Sequence, residues 1–415
     1  MRHRQGRLCA WLLLGLLAAA PARASYEEFS TFDVARSEED DEFLLDHELV
    51  RSPFEWHAAY DQANSAFRSS QGCFTSGMWF IDNELKVQVP MGDTTKFIIG
   101  MRDVEDLEAH YSWTRLDARF PLPHTGGLWT VRFAPNFDKS QQDWAVQWDH
   151  GDAFKPLQVT AVFTVEDAFN KFWSARQTRV GDDAAPYLRH PYEPALGITW
   201  RGSGTTFSAR GKWLTPSTKQ FDTKDSTLRR QEKLWGGKGD AYLAQRIGAT
   251  TAEVSFEDIQ ASSWAYWEQQ TGDHHVFRRR WRIESSLVTD VGEHGHVALR
   301  FFYQDRVQVW RPPIANATLG VIDRMPMIES WFRGPWSLGI RVGYMKDHIT
   351  VSDNGGIGGL AASEGTRPET RAFFQLQKQF GRVLLQGTEG IELDKEPYPV
   401  TFHHDKGFLQ LQTTF

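Results

Sequence analysis

The residues best suited to chemistry lie in the run 277–283, FRRRWRI. In an extended backbone successive side chains point to opposite faces. Arg278, Arg280 and Arg282 therefore share one face, and Trp281 and Ile283 the other. Three guanidinium groups spaced two residues apart form a ladder able to pair carboxylates or phosphates bidentately. Arg279 falls on the apolar face, where it fits near an interface its head group can reach by snorkelling. Reading other alternating segments face by face adds Lys86, Arg115, Arg119, Arg132, Arg201, Arg210, Lys212, Arg300, Arg306 and Arg341. The acids on the same faces are fewer: Asp82, Glu84, Asp117, Asp149, Glu253, Glu257 and Glu284. Two outcomes are open for such a face. The arginines attract anions, or they pair with these acids and brace a wall.

Other chemistry finds little support. No G-x-S-x-G, H-E-x-x-H or phosphate-loop signature occurs. The pairs His274/His275, His294/His296 and His403/His404 fall in expected connectors without matching third and fourth ligands, so no metal site is expected. The run 355–359, GGIGG, lacks the strand-to-helix context of a dinucleotide site and reads as a flexible loop. No cofactor and no catalytic residue is expected, and the chain does not read as an enzyme.

The elements that must position the arginines show in the apolar pattern. From about residue 78, apolar residues recur at every second position, the period of a strand with one apolar face. Leu85, Val87 and Val89 alternate with Glu84, Lys86 and Gln88, and Val297, Leu299, Phe301 and Tyr303 with Ala298, Arg300 and Gln304. Short breaks fall near 90–93, 121–126, 150–156, 202–204, 248–251, 291–295, 334–335 and 380–381. Longer polar linkers are expected at 167–193, 216–239, 352–369 and 395–406. Short turns alternating with long loops predict an all-β fold, an antiparallel transmembrane β-barrel. About 17 strand candidates follow residue 78. A further strand near 55–67 would give about 18, and merging a weak pair would give 16, since such barrels normally have an even number.

Composition agrees. The 415 residues include 13% aromatics, with 17 Trp, and the formal charge is -7. Mean hydropathy is -0.48. A disordered chain would lack the aromatics, a nucleic-acid binder would be basic, and a helical membrane protein would be far more apolar. Residues 1–24 read as a secretory signal: Arg2, Arg4 and Arg7, a ten-residue apolar stretch 11–20, then Ala22-Arg23-Ala24. Residues 25–55 carry the acidic run 37–46, SEEDDEFLLD, and read as a periplasmic tail, a plug or a docking segment. The barrel is expected over 56–415. Cys73 alone remains after cleavage, so no internal disulfide forms.

The chain ends GFLQLQTTF, with Leu409, Leu411, Thr413 and Phe415 on one face. This resembles the last strand of bacterial outer-membrane β-barrel proteins, which typically end in Phe and alternate backward from it. The resemblance implies a place in the bacterial outer membrane among lipid and lipopolysaccharide. It also implies recognition of Leu409, Leu411 and Phe415 by the barrel-assembly machinery. Trp113, Trp129, Trp144, Trp200, Trp213, Trp264, Trp281, Trp310 and Trp336 would supply the interfacial girdles. In a porin-like barrel the arginine face lines the lumen, and Arg132, Arg201, Arg210, Arg278, Arg280, Arg282, Arg300, Arg306 and Arg341 become candidate anion-binding groups. Size and basic bias are loosely similar to barrels that export anionic polysaccharides such as alginate. Export of such a polyanion and general diffusion of anionic solutes are two versions of one channel reading, with no nucleic acid involved. A non-transporting scaffold or adhesion barrel and an outer-membrane hydrolase are the alternatives.

Overall fold

The computed structural model of the chain describes residues 65–74, 79–92, 94–106, 110–122, 124, 126–134, 143–151, 155–165, 187–189, 192–222, 229–267, 274–292, 295–311, 317–333, 338–354, 365–393 and 404–414. The expected signal peptide, the segment 25–55 and Phe415 lie outside them. Every element among the described residues is a strand. The first group is β1 (Ala66–Phe74), β2 (Trp79–Pro90), β3 (Lys96–Asp106), β4 (His110–Leu122), β5 (Gly127–Ala134), β6 (Asp143–His150), β7 (Leu157–Val165), β8 (Tyr187–Arg189) and β9 (Tyr192–Arg201). Eight taller strands follow: β10 (Thr205–Asp222), β11 (Arg229–Ile247), β12 (Thr250–Trp267), β13 (His274–Val291), β14 (Gly295–Arg311), β15 (Ala317–Arg333), β16 (Leu338–Asn354) and β17 (Gly365–Phe380). β18 (Val383–Glu392) and β19 (His404–Thr414) complete the sheet.

Each strand pairs antiparallel with its neighbours in chain order, and β7 pairs with β9 past the short β8. β1 pairs with β2 on one side and β19 on the other, so the ladder returns to its start. β8 adds to β10 alongside β9, which leaves eighteen of the nineteen strands in the ring. A ring without edges is the form in which strands satisfy every backbone N–H and C=O inside a bilayer.

The distribution of side chains is the reverse of a water-soluble protein. Among the described residues, twenty-one polar or charged ones are buried against eleven apolar ones. Ile247, Leu196 and Val291 are 69%, 61% and 59% exposed, and some thirty other large apolar side chains are also exposed. Burying one Leu or Phe is worth about 1.5–3 kcal/mol, so water would be a poor solvent for this outer face and acyl chains a good one. On β13 the two sets alternate: Arg280 and Ser286 are buried, and Leu287 and Val291 exposed.

The expected short turns all fall between strands. Gly126, Gly204, Gly248, Gly292 and Gly381 hold positive φ there, a region glycine enters without a Cβ clash. Both chain ends of the ring lie on this short-turn rim. Ala66 pairs with Thr414 and with Lys86, four residues before the end of β2.

Two expectations on strand limits need correction. The first strand is Ala66–Phe74 rather than 55–67, and residues 55–64 lie outside the described set. The expected linker 216–239 is mostly wall, because β10 runs to Asp222 and β11 starts at Arg229. Likewise β16 runs to Asn354, β17 starts at Gly365, β19 at His404, and Tyr187–Arg189 and Tyr192–Arg201 cut into 167–193. The reason is height. A span needs about 9–11 residues, whereas β10–β17 have 16 to 19. Their upper parts exceed the height a span needs, and the regular apolar alternation ceases there.

Inside the wall, Phe373 lies opposite Gly343 in the β16–β17 register. A Cβ on Gly343 would overlap the Phe373 ring. The ring covers the glycine, and the Arg341 guanidinium sits 5.8 Å from its centroid. Gly343→Val is expected to lower folded stability by about 1–3 kcal/mol, the usual cost of overpacking. The check is the urea midpoint of the lipid-folded barrel, and adding Phe373→Ala is expected to recover part of the loss.

Candidate functional site: an ionic network inside the wall

The inward face carries the expected arginines on neighbouring strands, and most of them meet carboxylates. On β15, Glu329 lies between Ala298 of β14 and Gly343 of β16. These small neighbours leave room for longer side chains two positions away. Arg300 reaches Glu329 at 2.9 Å and Arg341 at 2.7 Å. The Glu329 side chain has no exposed surface. Burying a carboxylate this fully is tolerable only with charged partners.

Glu257 on β12 forms a second centre. Arg282 stands opposite it in register, and Arg280 and Lys238 approach on the diagonals. The distances are 3.1 Å for Arg282, 2.6 Å for Arg280 and 3.3 Å for Lys238. Arg282 also lies 3.7 Å from Glu284. The third centre is Asp117 on β4, with Arg115 at 3.2 Å and Arg132 at 3.6 Å. In all three, one carboxylate serves two or three cations.

One-to-one pairs complete the network. Arg210 meets Asp240 at 2.8 Å, Lys212 meets Glu193 at 3.2 Å, Arg119 meets Asp149 at 3.6 Å and Arg68 meets Glu84 at 2.9 Å. Glu253 accepts a hydrogen bond from Ser286 at 3.0 Å. Arg201 donates to the neutral Gln158 at 2.8 Å. Arg306 is buried opposite Arg280, and Arg278 is half-buried on the same inward face of β13. Lys86 is fully buried. The side chain of Asp82 lies outside the described set. The arginines with printed partners share a face with carboxylates and do not stand as bare charges in open water. The bracing outcome holds for Arg132, Arg210, Arg280, Arg282, Arg300 and Arg341.

Four charged partners escaped the reading of the sequence. Glu193 and Lys238 fall inside stretches taken for linkers, and Asp240 directly follows one of them. Glu329 sits in RMPMIESWFR, where Met327 points inward and Pro326 and Ser330 outward. Both faces are of mixed polarity there, since Ile328 and Phe332 also point outward, so periodicity gave no signal.

The outer face has its own order. Trp281 packs against Phe256 and Tyr303, with centroids 6.5 and 5.0 Å apart. Between Trp281 and Val291 lie ten residue steps of β13, about 25 Å of height at ordinary rise and tilt. That matches the apolar band of a barrel. Arg279 faces outward just above Trp281 and pairs with Asp258 at 2.9 Å. Trp144, Trp200 and Trp213 are exposed on the same surface. Trp264 lies beneath Lys233 at 4.6 Å. Trp336 lies outside the described residues. Leu409 and Leu411 of β19 also face outward and are exposed. His275 stacks on Trp235 at 6.1 Å. No cluster of potential metal ligands occurs among the described residues.

The fold is a transmembrane β-barrel. No protein-family model matches the chain, and no curated protein matches it. Among solved structures, OccAB3 of Acinetobacter baumannii is 12% identical, with a TM-score of 0.42 over 85% of this chain and 97% of that one. OccK5 (OpdH) of Pseudomonas aeruginosa is 13% identical, with a TM-score of 0.41 over 85% and 98%. A bacterial polysaccharide outer membrane secretin is 11% identical, with a TM-score of 0.43 over 85% and 98%. These likenesses are distant, and the architecture rests on the strand pairing and the exposed apolar face described above.

Proposed function

We propose that the chain is a bacterial outer-membrane channel whose lumen favours anionic solutes. One observation carries the reading: the inward carboxylates are shared. Glu329 serves Arg300 and Arg341, Glu257 serves Arg280, Arg282 and Lys238, and Asp117 serves Arg115 and Arg132. Pairing within each centre leaves more positive than negative charge. Rings of eighteen strands are wide enough for an aqueous passage. A wall with excess guanidinium charge lowers the energy of an anion and raises that of a cation along such a passage. Carboxylates and phosphates gain further from the planar fork of each guanidinium.

The test is the reversal potential of the protein in planar bilayers under a salt gradient. The expected result is a potential shifted toward that of chloride. Arg278→Ala, Arg280→Ala and Arg282→Ala together are expected to move it toward zero. Block by an added polyuronate would favour a polyanion as the cargo, and free passage of small anions alone would favour diffusion. A cation-selective pore would overturn the proposal.

A further inference from the structure

Most inward cations meet carboxylates, and on the outer face Arg279 meets Asp258. One outward group departs from that rule. Arg324 of β15 is exposed and stands in register between Tyr303 of β14 and His348 of β16. Lys346, two residues from His348 on the same face of β16, is also exposed. Among the described residues no ion pair reaches Arg324, Lys346 or His348. The guanidinium of Arg324 sits 6.0 Å from the centroid of the Tyr303 ring. On β17 the positions facing Lys346 and His348 are Thr370 and Pro368, neither of them charged. Asp305 of β14 stands opposite Trp281 and Ile322 and makes no ion pair with Arg324. Like charges gathered on one sheet face destabilise it unless a counter-charge joins them. The group also has a defined height. Arg324 lies nine residues above the short-turn end of β15 at Arg333, and His348 ten above that of β16 at Leu338. Trp281 lies ten above Val291. The group therefore stands at the upper border of the apolar band. Below it the outer surface continues through the exposed Tyr344, Val342, Ile328 and Phe332.

We propose that Arg324, Lys346 and His348 form an outward-facing site for the phosphate of an acylated lipid headgroup. The headgroup belongs to the leaflet on the long-loop side, the outer leaflet in barrels of this kind. Arg324 and Lys346 match the charge of about -2 on a phosphate monoester. The planar fork of Arg324 holds two phosphate oxygens. Lys346 adds a compact charge on a stem that reaches upward from the acyl level, and the His348 ring adds an N–H donor. A phosphate on a soluble molecule would gain nothing from the apolar surface below the site. Acyl chains on the same headgroup lie along Tyr344, Val342 and Ile328, and that continuity selects a lipid. The site faces away from the lumen, so it stands whether or not the barrel passes solutes.

The test is native mass spectrometry of the full chain in detergent, titrated with lipid A, with dephosphorylated lipid A, or with phosphatidylethanolamine. Lipid A, which carries phosphate monoesters, is expected to bind about tenfold more tightly than the other two. Arg324→Gln, Lys346→Gln and His348→Gln together are expected to remove that preference. Lys378→Gln, an outward cation near the short-turn end of β17, is expected to leave it unchanged. The heat-shifted band of the triple variant checks that its ring is closed. Should it fail to fold, Arg324→Gln alone is expected to weaken lipid A binding several-fold, and Arg324→Lys to retain most of it. Equal binding of lipid A by the intact chain and these glutamine variants, or indifference to dephosphorylation, would overturn the proposal. Displacement of lipid A by millimolar inorganic phosphate would overturn the lipid assignment and leave a site for free phosphate.

Discussion

Glu329→Gln is expected to lower the unfolding free energy of the barrel by about 3–5 kcal/mol, the usual cost of removing one partner from a buried ion pair. The Glu329 carboxylate has no exposed surface and holds both Arg300 and Arg341 within 2.9 Å. Its amide would remove the carboxylate that Arg300 of β14 and Arg341 of β16 share across β15. The triple substitution Arg300→Met, Glu329→Leu, Arg341→Met is expected to restore most of the stability, because apolar side chains of similar size remove the desolvation cost as well as the attraction. The measurement is reversible urea unfolding into lipid vesicles, followed by Trp fluorescence. A loss below about 0.5 kcal/mol in Glu329→Gln, typical of an exposed pair, would mean that water reaches this centre and screens it.

Leu287→Arg carries the second large effect. Leu287 is half exposed on the outer face of β13, opposite the exposed Leu299 of β14. On a water-soluble protein, exchanging an exposed Leu for Arg would change stability little. On a lipid-facing strand near mid-span the cost is about 2–4 kcal/mol. The same lipid-vesicle titration decides between the two environments. A neutral or stabilising result would mean that the outer face does not meet acyl chains.

The parts of the fold legible in the sequence are those where one face meets lipid and the other a polar interior. Segments such as 297–303 alternate because Leu299 and Phe301 are exposed outward while Ala298 and Phe302 turn in. The glycine turns were legible for a different reason, since Gly204, Gly248 and Gly292 hold a conformation other residues avoid. What escaped was the upper half of the tall strands. At 229–239 the two large apolar residues, Leu234 and Trp235, fall on opposite faces, and the residues that spell RRQEKLWGGKG form regular wall. The chemistry followed the same division. The ladder Arg278, Arg280 and Arg282 stood out, but the acid that holds two of its members together with Lys238 had no special mark among the acids. Which cations share which carboxylate depends on strand register, and register is a property of pairs of strands.

The central claim is that the ring is closed and faces lipid. The most direct measurement is electrophoresis of detergent-extracted protein with and without boiling, paired with flotation on lipid vesicles. The account predicts a compact band that shifts to the position of the unfolded chain only after heating, and protein that floats with the vesicles. A single band unaffected by heat, from protein that stays dissolved without detergent, would contradict it.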